Sequence, residues 1–364
     1  MKNKLVVVPN TKTLIKKSPG FTKKELSDYK IDLMALCGFG CRYCSSNAGN
    51  YLRIHRREFA HLTQEQLGLI VLPSEEPALS FEFTDVVEQL GTELSRKRKS
   101  YGEGKVLMFS MLTDAFSPSL VTSGVTRAAL ELLLEKTSFR IRILTKNAIV
   151  GSNSWVEFLA RQGERVVVGL STGTLDADWA NKIEMGTSNP RARLRALRNL
   201  QDAGVPTFGM LCPVFPDVIV KGQLDELIDE IRPERCERVW AEPYNDRNNW
   251  ELVRDAYEEG SESRAWMDKA FGDPSSGAWG EHATELYATL LLRSDAEGWT
   301  DKLRYMLYEG GMSAEASRGF CDLRGLLLQS PGDEDGLSKN AHFRALQQQI
   351  KPLNYWDHID NPYV

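Results

Sequence analysis

Between residues 28 and 242 the chain repeats one pattern, in which a short apolar run is followed by a longer segment with apolar residues three or four positions apart. The first kind of segment predicts a buried strand and the second an amphipathic helix. Strands that alternate with helices are typical of β-α units around a parallel sheet. We therefore predict an α/β fold, a partial (β/α)6 TIM-like barrel. Its six strands are expected at residues 28–36, 105–112, 140–144, 165–171, 206–212 and 238–242.

Two parts of the chain depart from this pattern. The interval 45–104 is long for one crossover, which predicts an insertion after the first strand, with a helix at 84–97. From residue 248 the strand signals stop, and helices are expected at residues 249–258, 281–293, 298–308 and 338–349. The predicted organisation is an N-terminal extension at 1–27, the barrel at 28–247 and a helical C-terminal domain at 248–364.

Composition and charge narrow the classes of protein. Apolar residues make up 42% and charged residues 26% of the 364 residues, as in soluble globular proteins. The apolar run Leu5 to Val8 is too short for a signal-peptide core, and no run approaches the length that crosses a bilayer. The net charge of −5 is unlike that of proteins that bind many phosphates. Two basic runs, at residues 53–57 and 96–99, are either solvated helix faces or a rim that faces a polyanion.

Three cysteines, Cys37, Cys41 and Cys44, follow the first predicted strand at C-x3-C-x2-C spacing. Three thiolates from one loop can hold three irons of a 4Fe–4S cluster and leave the fourth iron open to a small molecule. Gly38 and Gly40 allow the tight turns that bring the three sulfurs together. The sequence therefore predicts an open iron–sulfur cluster.

Three other interpretations of the cysteines fit less well. A structural zinc site needs four Cys or His ligands, and no C-x-x-C or H-x3-H pair elsewhere in the sequence completes one. Ordinary ferredoxin clusters use four cysteines, and a disulfide framework is typical of short secreted chains. With six cysteines, three of them assigned to a cluster, we expect a reducing, cytoplasmic compartment and no membrane association.

Polar residues recur where the predicted strands stop. In barrels of parallel strands, chemistry gathers at the carboxyl ends of the strands. Polar residues there are also common as helix caps, so each residue alone has two interpretations. Their coincidence with the cysteine loop favours a site. The residues at these ends are Thr113, Asp114, Thr145, Lys146, Ser171, Thr172, Cys212 and Glu242.

The cysteine motif resembles that of the radical S-adenosylmethionine (SAM) enzymes, and Tyr43 matches the aromatic residue before their last cysteine. Further stretches resemble the spore photoproduct lyase branch of that superfamily, often labelled DNA repair photolyases. The resemblance covers about residues 28–246. The matching stretches are 113–118, 143–146, 169–172, 193–197, 203–206 and 212–216.

The resemblance implies a cluster whose open iron binds SAM, and whose electron cleaves SAM to a 5′-deoxyadenosyl radical that abstracts hydrogen from a substrate. Lys146 and Ser171 match residues near the methionine carboxylate of SAM. Thr113 and Asp114 match the place that receives its amino group, and Tyr43 matches a residue at the adenine. An external electron donor such as flavodoxin or ferredoxin is implied as a partner.

Two departures from the spore photoproduct lyase pattern concern the substrate. Those enzymes donate a hydrogen atom from a cysteine near the end of the second strand, but this chain has no cysteine between Cys44 and Cys212. The aromatic residue after the last cluster cysteine is replaced by Ser45. Both departures argue against a true thymine-dimer repair enzyme. Cys212 is either the hydrogen donor or a buried small apolar residue.

The function predicted by these observations is a radical SAM enzyme whose substrate lies over the barrel mouth. A nucleic acid or nucleotide fits the resemblance and the basic runs. A peptide or small metabolite fits the acidic charge balance and the missing cysteine donor. A non-catalytic iron–sulfur redox or sensor protein, which never cleaves SAM, is the remaining hypothesis.

Overall fold

The computed structural model describes residues 4–9, 13–22, 24–73, 75–76 and 79–306. The strands in these ranges are β1 (Lys4–Val8), β2 (Lys16–Lys17), β3 (Tyr29–Ile31), β4 (Met34–Leu36), β5 (Leu79–Phe83), β6 (Val106–Phe109), β7 (Arg140–Thr145), β8 (Val166–Leu170), β9 (Thr207–Val214), β10 (Cys236–Pro243) and β11 (Leu303–Tyr305). The α-helices are α1 (Pro19–Thr22), α2 (Asn50–Leu67), α3 (Val86–Ser95), α4 (Pro118–Thr122), α5 (Val125–Lys136), α6 (Asn153–Ala160), α7 (Ala177–Ile183), α8 (Pro190–Asp202), α9 (Pro216–Val220), α10 (Gln223–Ile231), α11 (Trp250–Arg254), α12 (Glu262–Met267) and α13 (Ala278–Glu297).

Eight strands form the main sheet, in the order β11-β10-β9-β8-β7-β6-β3-β2. Neighbouring strands are parallel except for the antiparallel pair of β2 with β3. From β6 to β10, each strand pairs with the next one along the chain after intervening helices, as repeated β-α units do. Within the described residues the sheet does not close, because β2 and β11 lie at its edges. The predicted α/β fold and partial barrel are confirmed.

The first predicted strand, at 28–36, is divided between two sheets. β3 pairs with β6 in the main sheet, whereas β4 pairs antiparallel with β5. The break falls at Asp32, whose carboxylate accepts hydrogen bonds from the backbone N–H groups of residues 111–113. This side chain ties the chain to the loop after β6, and the backbone therefore leaves the main sheet at that point.

A second sheet, with three strands in the order β1-β5-β4, was not predicted. It joins the start of the chain to the 45–104 insertion, because β1 pairs in parallel with β5. Helix α2 covers this sheet with Leu52 and Phe59, which are buried in one apolar cluster with Val6 and Phe81. This separate small core positions α2 directly after the cysteine loop.

Side chains alternate between the two faces of the main sheet, as the two-residue period of a strand requires. One face packs against the helices in the largest apolar core. The other, inner face is filled partly by the N-terminal segment, since the Trp240 indole donates to the Lys24 carbonyl at 3.0 Å. The inner apolar cluster consists of Phe21, Leu26, Met108, Val167, Phe208, Met210, Trp240 and Met306.

The C-terminal part of the described chain contains one strand where only helices were predicted. Helix α13 corresponds to the predicted helix at 281–293 and ends at Gly298, whose φ of 74° is left-handed. The chain then pairs with β10 through β11, so the helix predicted at 298–308 is wrong. A three-residue strand is too short to produce a periodic apolar pattern. The helix predicted at 338–349 lies outside the described residues.

Helix α13 attaches this part of the chain to the barrel. The Trp279 indole donates to the Tyr244 carbonyl, and the Tyr287 hydroxyl donates to the Ala241 carbonyl, each at 2.8 Å. Both acceptors lie in or directly after β10. None of the described helices combines the length and the apolar character needed to cross a bilayer.

The small core around α2 gives a stability prediction. Replacement of the buried Phe59 by alanine should lower the free energy of unfolding by about 3 kcal/mol, because it leaves a cavity under the helix. Ile54, on the same helix, is exposed, so Ile54→Ala should change stability by less than about 0.5 kcal/mol. Urea unfolding followed by circular dichroism measures both. Equal effects of the two substitutions would contradict the packing of α2.

Candidate active site

The three cysteines lie on the loop between β4 and α2. Cys37 and Cys41 are buried, whereas Cys44 is half-buried. Burial, helped by the neighbouring Cys44, raises the pKa of Cys37 to about 12. Burial and the Glu184 carboxylate raise the pKa of Cys41 well above its ordinary value. Two of the three thiols are thus shielded from water, and Cys44 lies close enough to influence Cys37.

The cysteine loop is held tightly at its centre. Gly40 has a φ of 61°, in the left-handed region that favours glycine. The fully buried Asn47 amide, in the orientation that satisfies both of its groups, donates to the Cys37 carbonyl and accepts from the Gly40 N–H, each at 3.2 Å. Gly186 also donates its N–H to the Phe39 carbonyl at 2.8 Å. A Cβ on Gly186 would lie 2.7 Å from the Gly38 carbonyl oxygen, so only glycine fits there.

Other loops hold the two ends of the cysteine loop. The Asn249 amide, beyond β10, donates to the Arg42 carbonyl at 2.9 Å and to the Cys44 carbonyl at 3.4 Å. The Ser46 hydroxyl donates to the Leu112 carbonyl at 2.6 Å, in the loop after β6. The geometry of the three thiols is therefore fixed by segments distant in sequence. None of these contacts was foreseen from the sequence.

The number and type of the candidate ligands distinguish between kinds of metal site. No three His, Cys, Asp or Glu side chains of the described residues converge on one point as ligands of a single ion would. In an iron–sulfur cluster each cysteine binds a different iron, so the sulfurs need not converge. Three thiols on one loop fit a 4Fe–4S cluster with one open iron. They do not fit a four-ligand structural zinc site.

Four polar residues lie at the carboxyl ends of neighbouring strands, at positions that continue the inner face of the sheet. A strand places every second residue on the same face. Counting in steps of two from the inner-face residues Leu144, Val167, Met210 and Trp240 leads to Lys146, Ser171, Cys212 and Glu242.

Lys146, Ser171 and Cys212 are brought together there. The Lys146 ammonium donates to the Ser171 hydroxyl at 2.9 Å and to the Cys212 carbonyl at 3.2 Å. The Ser171 hydroxyl donates in turn to the same Cys212 carbonyl at 2.7 Å. The Lys146 ammonium also lies 5.6 Å from the centre of the Tyr43 ring, next to the cysteine loop. The predicted SAM residues at β7 and β8 therefore adjoin the predicted cluster.

A buried carboxylate, Glu184, joins these residues. It forms ion pairs with Lys146 at 2.9 Å and with Arg193 at 2.5 Å, and it accepts a hydrogen bond from the Tyr43 hydroxyl. Burial alone would raise its pKa, but the Arg193 and Lys146 charges outweigh burial and hold the pKa at about 2. Arg193 donates also to the Ser171 carbonyl at 2.6 Å.

Glu184 and Arg193 were not predicted from the sequence as site residues. One signal was present in α8, where Arg193 is spaced four and seven positions from the buried Leu197 and Leu200. A charged residue at that spacing lies on the apolar side of a helix and needs a buried partner. Glu184 carries no comparable signal in its surrounding sequence.

Thr113 and Asp114 are engaged within the protein. The Asp114 carboxylate accepts from the Phe116 and Lys146 N–H groups, at 2.8 and 2.7 Å, and from the Thr145 hydroxyl. Thr113 is turned to Asp32, which accepts from both its N–H and its hydroxyl. Asp114 links the loops after β6 and β7, next to Lys146. A role of either residue toward SAM stays a prediction.

Cys212 has an acidic partner. Its thiol donates to the Glu242 carboxylate at 3.2 Å, and the other oxygen of that carboxylate accepts from Arg247 at 3.2 Å. Burial and the Glu242 charge raise the pKa of Cys212 well above its ordinary value. The residue is therefore a protonated thiol at the mouth of the inner face.

Comparison with known proteins identifies the fold. No family model matches the chain. A single-site mutant of spore photoproduct lyase superposes with a TM-score of 0.51 over 84% of this chain and 82% of that chain, at 16% sequence identity. The chain thus has a spore photoproduct lyase-like fold, and the resemblance predicted from the motifs is confirmed at the level of the fold.

Two curated proteins are similar in sequence. An uncharacterised protein of Acidianus two-tailed virus is 25% identical over 205 residues, which are 55% of this chain and 63% of the viral protein. An uncharacterised protein of Methanocaldococcus jannaschii is 25% identical over 131 residues, which are 36% of this chain and 47% of that protein. The matched regions thus span about half to two thirds of these relatives.

The Glu184 network gives a pH prediction. The folded-state pKa of about 2 lies below the usual 4.5, so the ionised carboxylate stabilises the fold above about pH 4.5 and loses this effect as the pH falls toward 2. Glu184→Gln leaves the buried Arg193 and the partly buried Lys146 without their anion and should cost about 3 kcal/mol at pH 7. The difference from wild type should shrink below pH 4.5. Urea unfolding at several pH values measures this difference in the free energy of unfolding, and the exposed Glu281→Gln is the control. A difference that does not change with pH would show that the Glu184 charge does not stabilise the fold.

The Cys212–Glu242 contact gives a second prediction. Glu242→Gln removes the negative charge beside the thiol, so the pKa of Cys212 should fall and its thiolate fraction should rise. At pH 8 the rate of alkylation of Cys212 by iodoacetamide, followed by peptide mass spectrometry, should increase several-fold. The exposed Glu251→Gln serves as the control. An unchanged rate would show that Glu242 does not govern this thiol.

Proposed function

We propose that this chain is a radical SAM enzyme. The observation that carries the proposal is the position of the three-cysteine loop beside the Lys146 ammonium and the buried Ser171 hydroxyl, at the carboxyl end of a partial barrel. Cys37, Cys41 and Cys44 would hold three irons of a 4Fe–4S cluster, with SAM on the fourth. When bound, the cluster supplies the electron that cleaves SAM reductively to a 5′-deoxyadenosyl radical. The chain's own residues hold the reactants and exclude water.

Lys146 is suited to bind the SAM carboxylate. An ammonium has three N–H donors, and Ser171, Cys212 and Glu184 occupy them in this structure. A carboxylate that binds here must replace at least one of these acceptors. When Lys146 changes partner, Arg193 remains paired with Glu184. The buried Glu184 carboxylate therefore keeps one cation as its partner. A buried carboxylate without a cation would destabilise the protein.

A cluster of aromatic side chains packs against Tyr43 of the cysteine loop and would form one side of the proposed site. The Tyr43 ring packs against Phe215 at 6.2 Å between centres, and Phe215 stacks on Tyr244 at 4.8 Å. Trp179 packs on the same Phe215 ring and stacks on Tyr257 at 3.8 Å. This wall would keep water from a carbon radical on that side. Tyr43 would adjoin the adenine, with Thr113 and Asp114 toward the amino group.

Cys212 is the residue that we assign, within this proposal, as hydrogen donor. It lies on the inner face, and its hydrogen bond to Glu242 favours the protonated thiol. Transfer of the hydrogen atom breaks the S–H bond, forms a C–H bond on the substrate radical and leaves a thiyl radical. One electron from an external donor and one proton restore the thiol.

A nucleic acid or nucleotide is the substrate class that the motif resemblance favours. A peptide or small metabolite is the alternative, supported by the net charge of −5. A non-catalytic iron–sulfur sensor differs from both, because it does not cleave SAM and does not need the Lys146–Ser171 pair to bind it. Salt-dependent binding of a DNA or RNA oligonucleotide would favour the first class. No binding at low salt would favour the second.

Lys146→Ala tests the proposal. The variant should retain its iron and its cluster absorbance, but its affinity for SAM should fall about 30-fold, the equivalent of ~2 kcal/mol for a charged hydrogen bond. Lys182→Ala, an exposed lysine on α7, is the matched control and should bind like wild type. Equilibrium dialysis with labelled SAM measures the affinity.

The same experiment separates the hypotheses. Wild-type protein that holds a cluster but binds no SAM would support the sensor and contradict the enzyme. SAM bound equally by wild type and Lys146→Ala would contradict the assignment of Lys146 as the carboxylate ligand.

A further inference from the structure

The two basic runs of the sequence lie at opposite ends of the barrel. Residues 96–99 follow α3 and precede β6, so they lie at the amino-terminal ends of the strands. Residues 53–57 lie in the first two turns of α2, directly after the cysteine loop at the carboxyl ends. Only the second run adjoins the candidate site.

Three arginines of α2 are exposed, and no ion pair is found for them among the described residues. Arg53, Arg56 and Arg57 are spaced i, i+3 and i+4, which places them side by side along the helix. Arg53 contacts only the Asn50 side chain, at 3.4 Å, and none of the three forms an ion pair within the part of the chain that is described. By contrast, Arg293 is bound to three carboxylates.

This basic face begins one turn into α2, close in sequence to Cys44, which is the most accessible of the three proposed cluster cysteines. Cys44 is half-buried while the other two cysteines are buried, so the outside of the protein is nearest to the proposed cluster at Cys44. Asn249 holds the Cys44 carbonyl, and the neighbouring Asn248 binds Asn50 at the start of α2. Cys44 and the first turn of α2 therefore belong to one packed unit.

The chemistry of the face favours a protein over a phosphate backbone. Ile54, in the same turn, is 52% exposed, and arginine is enriched at protein interfaces relative to the rest of the protein surface. Helix α2 also packs on the small sheet, through Leu52 and Phe59, and not on the inner face that a substrate must reach. Three positive charges that form no ion pair within the described ranges fit an acidic surface.

We propose that Arg53, Arg56 and Arg57 form the docking surface for an acidic one-electron carrier protein. The proposal rests on the proposed function, since it gives the cluster its reductant. The reduced carrier loses one electron and the oxidised cluster gains one. No covalent bond breaks and no proton is transferred.

The test compares two triple variants of the cluster-loaded protein. One carries Arg53→Gln, Arg56→Gln and Arg57→Gln; the control carries Arg96→Gln, Lys97→Gln and Arg98→Gln, the same change of charge at the far end of the barrel. The probe is a reduced acidic flavodoxin, and anaerobic stopped-flow absorbance follows bleaching of the cluster. The α2 variant should react about tenfold more slowly at low salt and approach wild type at high salt. The control should stay within about twofold.

Two further measurements make the result decisive. Dithionite, which needs no docking surface, should bleach the cluster of all three proteins equally. Flavodoxin affinity for the cluster-free protein, measured by fluorescence anisotropy, should fall about tenfold in the α2 variant only. Equal flavodoxin rates with normal dithionite bleaching would overturn the docking surface and leave the proposed function intact.

Other outcomes also decide against the proposal. Failure of dithionite to bleach any cluster would overturn the proposed function, and the docking surface with it. If the α2 variant loses salt-dependent binding of a single-stranded oligonucleotide but keeps the wild-type flavodoxin rate, the face binds nucleic acid, and the carrier proposal is wrong.

Discussion

The candidate site depends on a single buried carboxylate. Glu184 neutralises Lys146 and Arg193 and accepts from the Tyr43 hydroxyl, so it joins α8, the end of β7 and the cysteine loop. Without its charge, two cations would lie in a region from which water is excluded, at a cost of several kcal/mol. Because Arg193 is fully buried and Lys146 is not, the network has one fixed cation and one that can turn to a ligand. That asymmetry supports the proposal that Lys146 binds the carboxylate of a ligand.

The same principle recurs around the barrel mouth, where carboxylates and amides connect loops that are distant in sequence. Asp32 binds the loop after β6, and Asp114 binds the loop after β7. Asn249 binds the cysteine loop from beyond β10. Each replaces water on backbone groups that would otherwise be buried without partners. The loops that carry the cysteines and Lys146 are therefore held by their neighbours, and their positions depend on the whole barrel.

Repetition explains what could be predicted from the sequence. Strands and helices of the barrel recur with a clear apolar period, and the cysteine spacing is local, so both were visible without a structure. Lys146 and Ser171 could be found because they follow apolar runs. Glu184, Asn47 and Asn249 could not, because their partners are set by tertiary folding. β1 and β11 were not predicted, because each lies outside the β-α repeat and is defined by the strand with which it pairs.

The proposed function requires that the three cysteines hold a cluster that cleaves SAM. The most direct measurement is anaerobic reconstitution with iron and sulfide, followed by SAM and dithionite, with 5′-deoxyadenosine detected by chromatography. Wild-type protein should form 5′-deoxyadenosine, and Cys41→Ala should form none. Failure of the wild-type protein to bind iron, or equal product from Cys41→Ala, would contradict the proposed function.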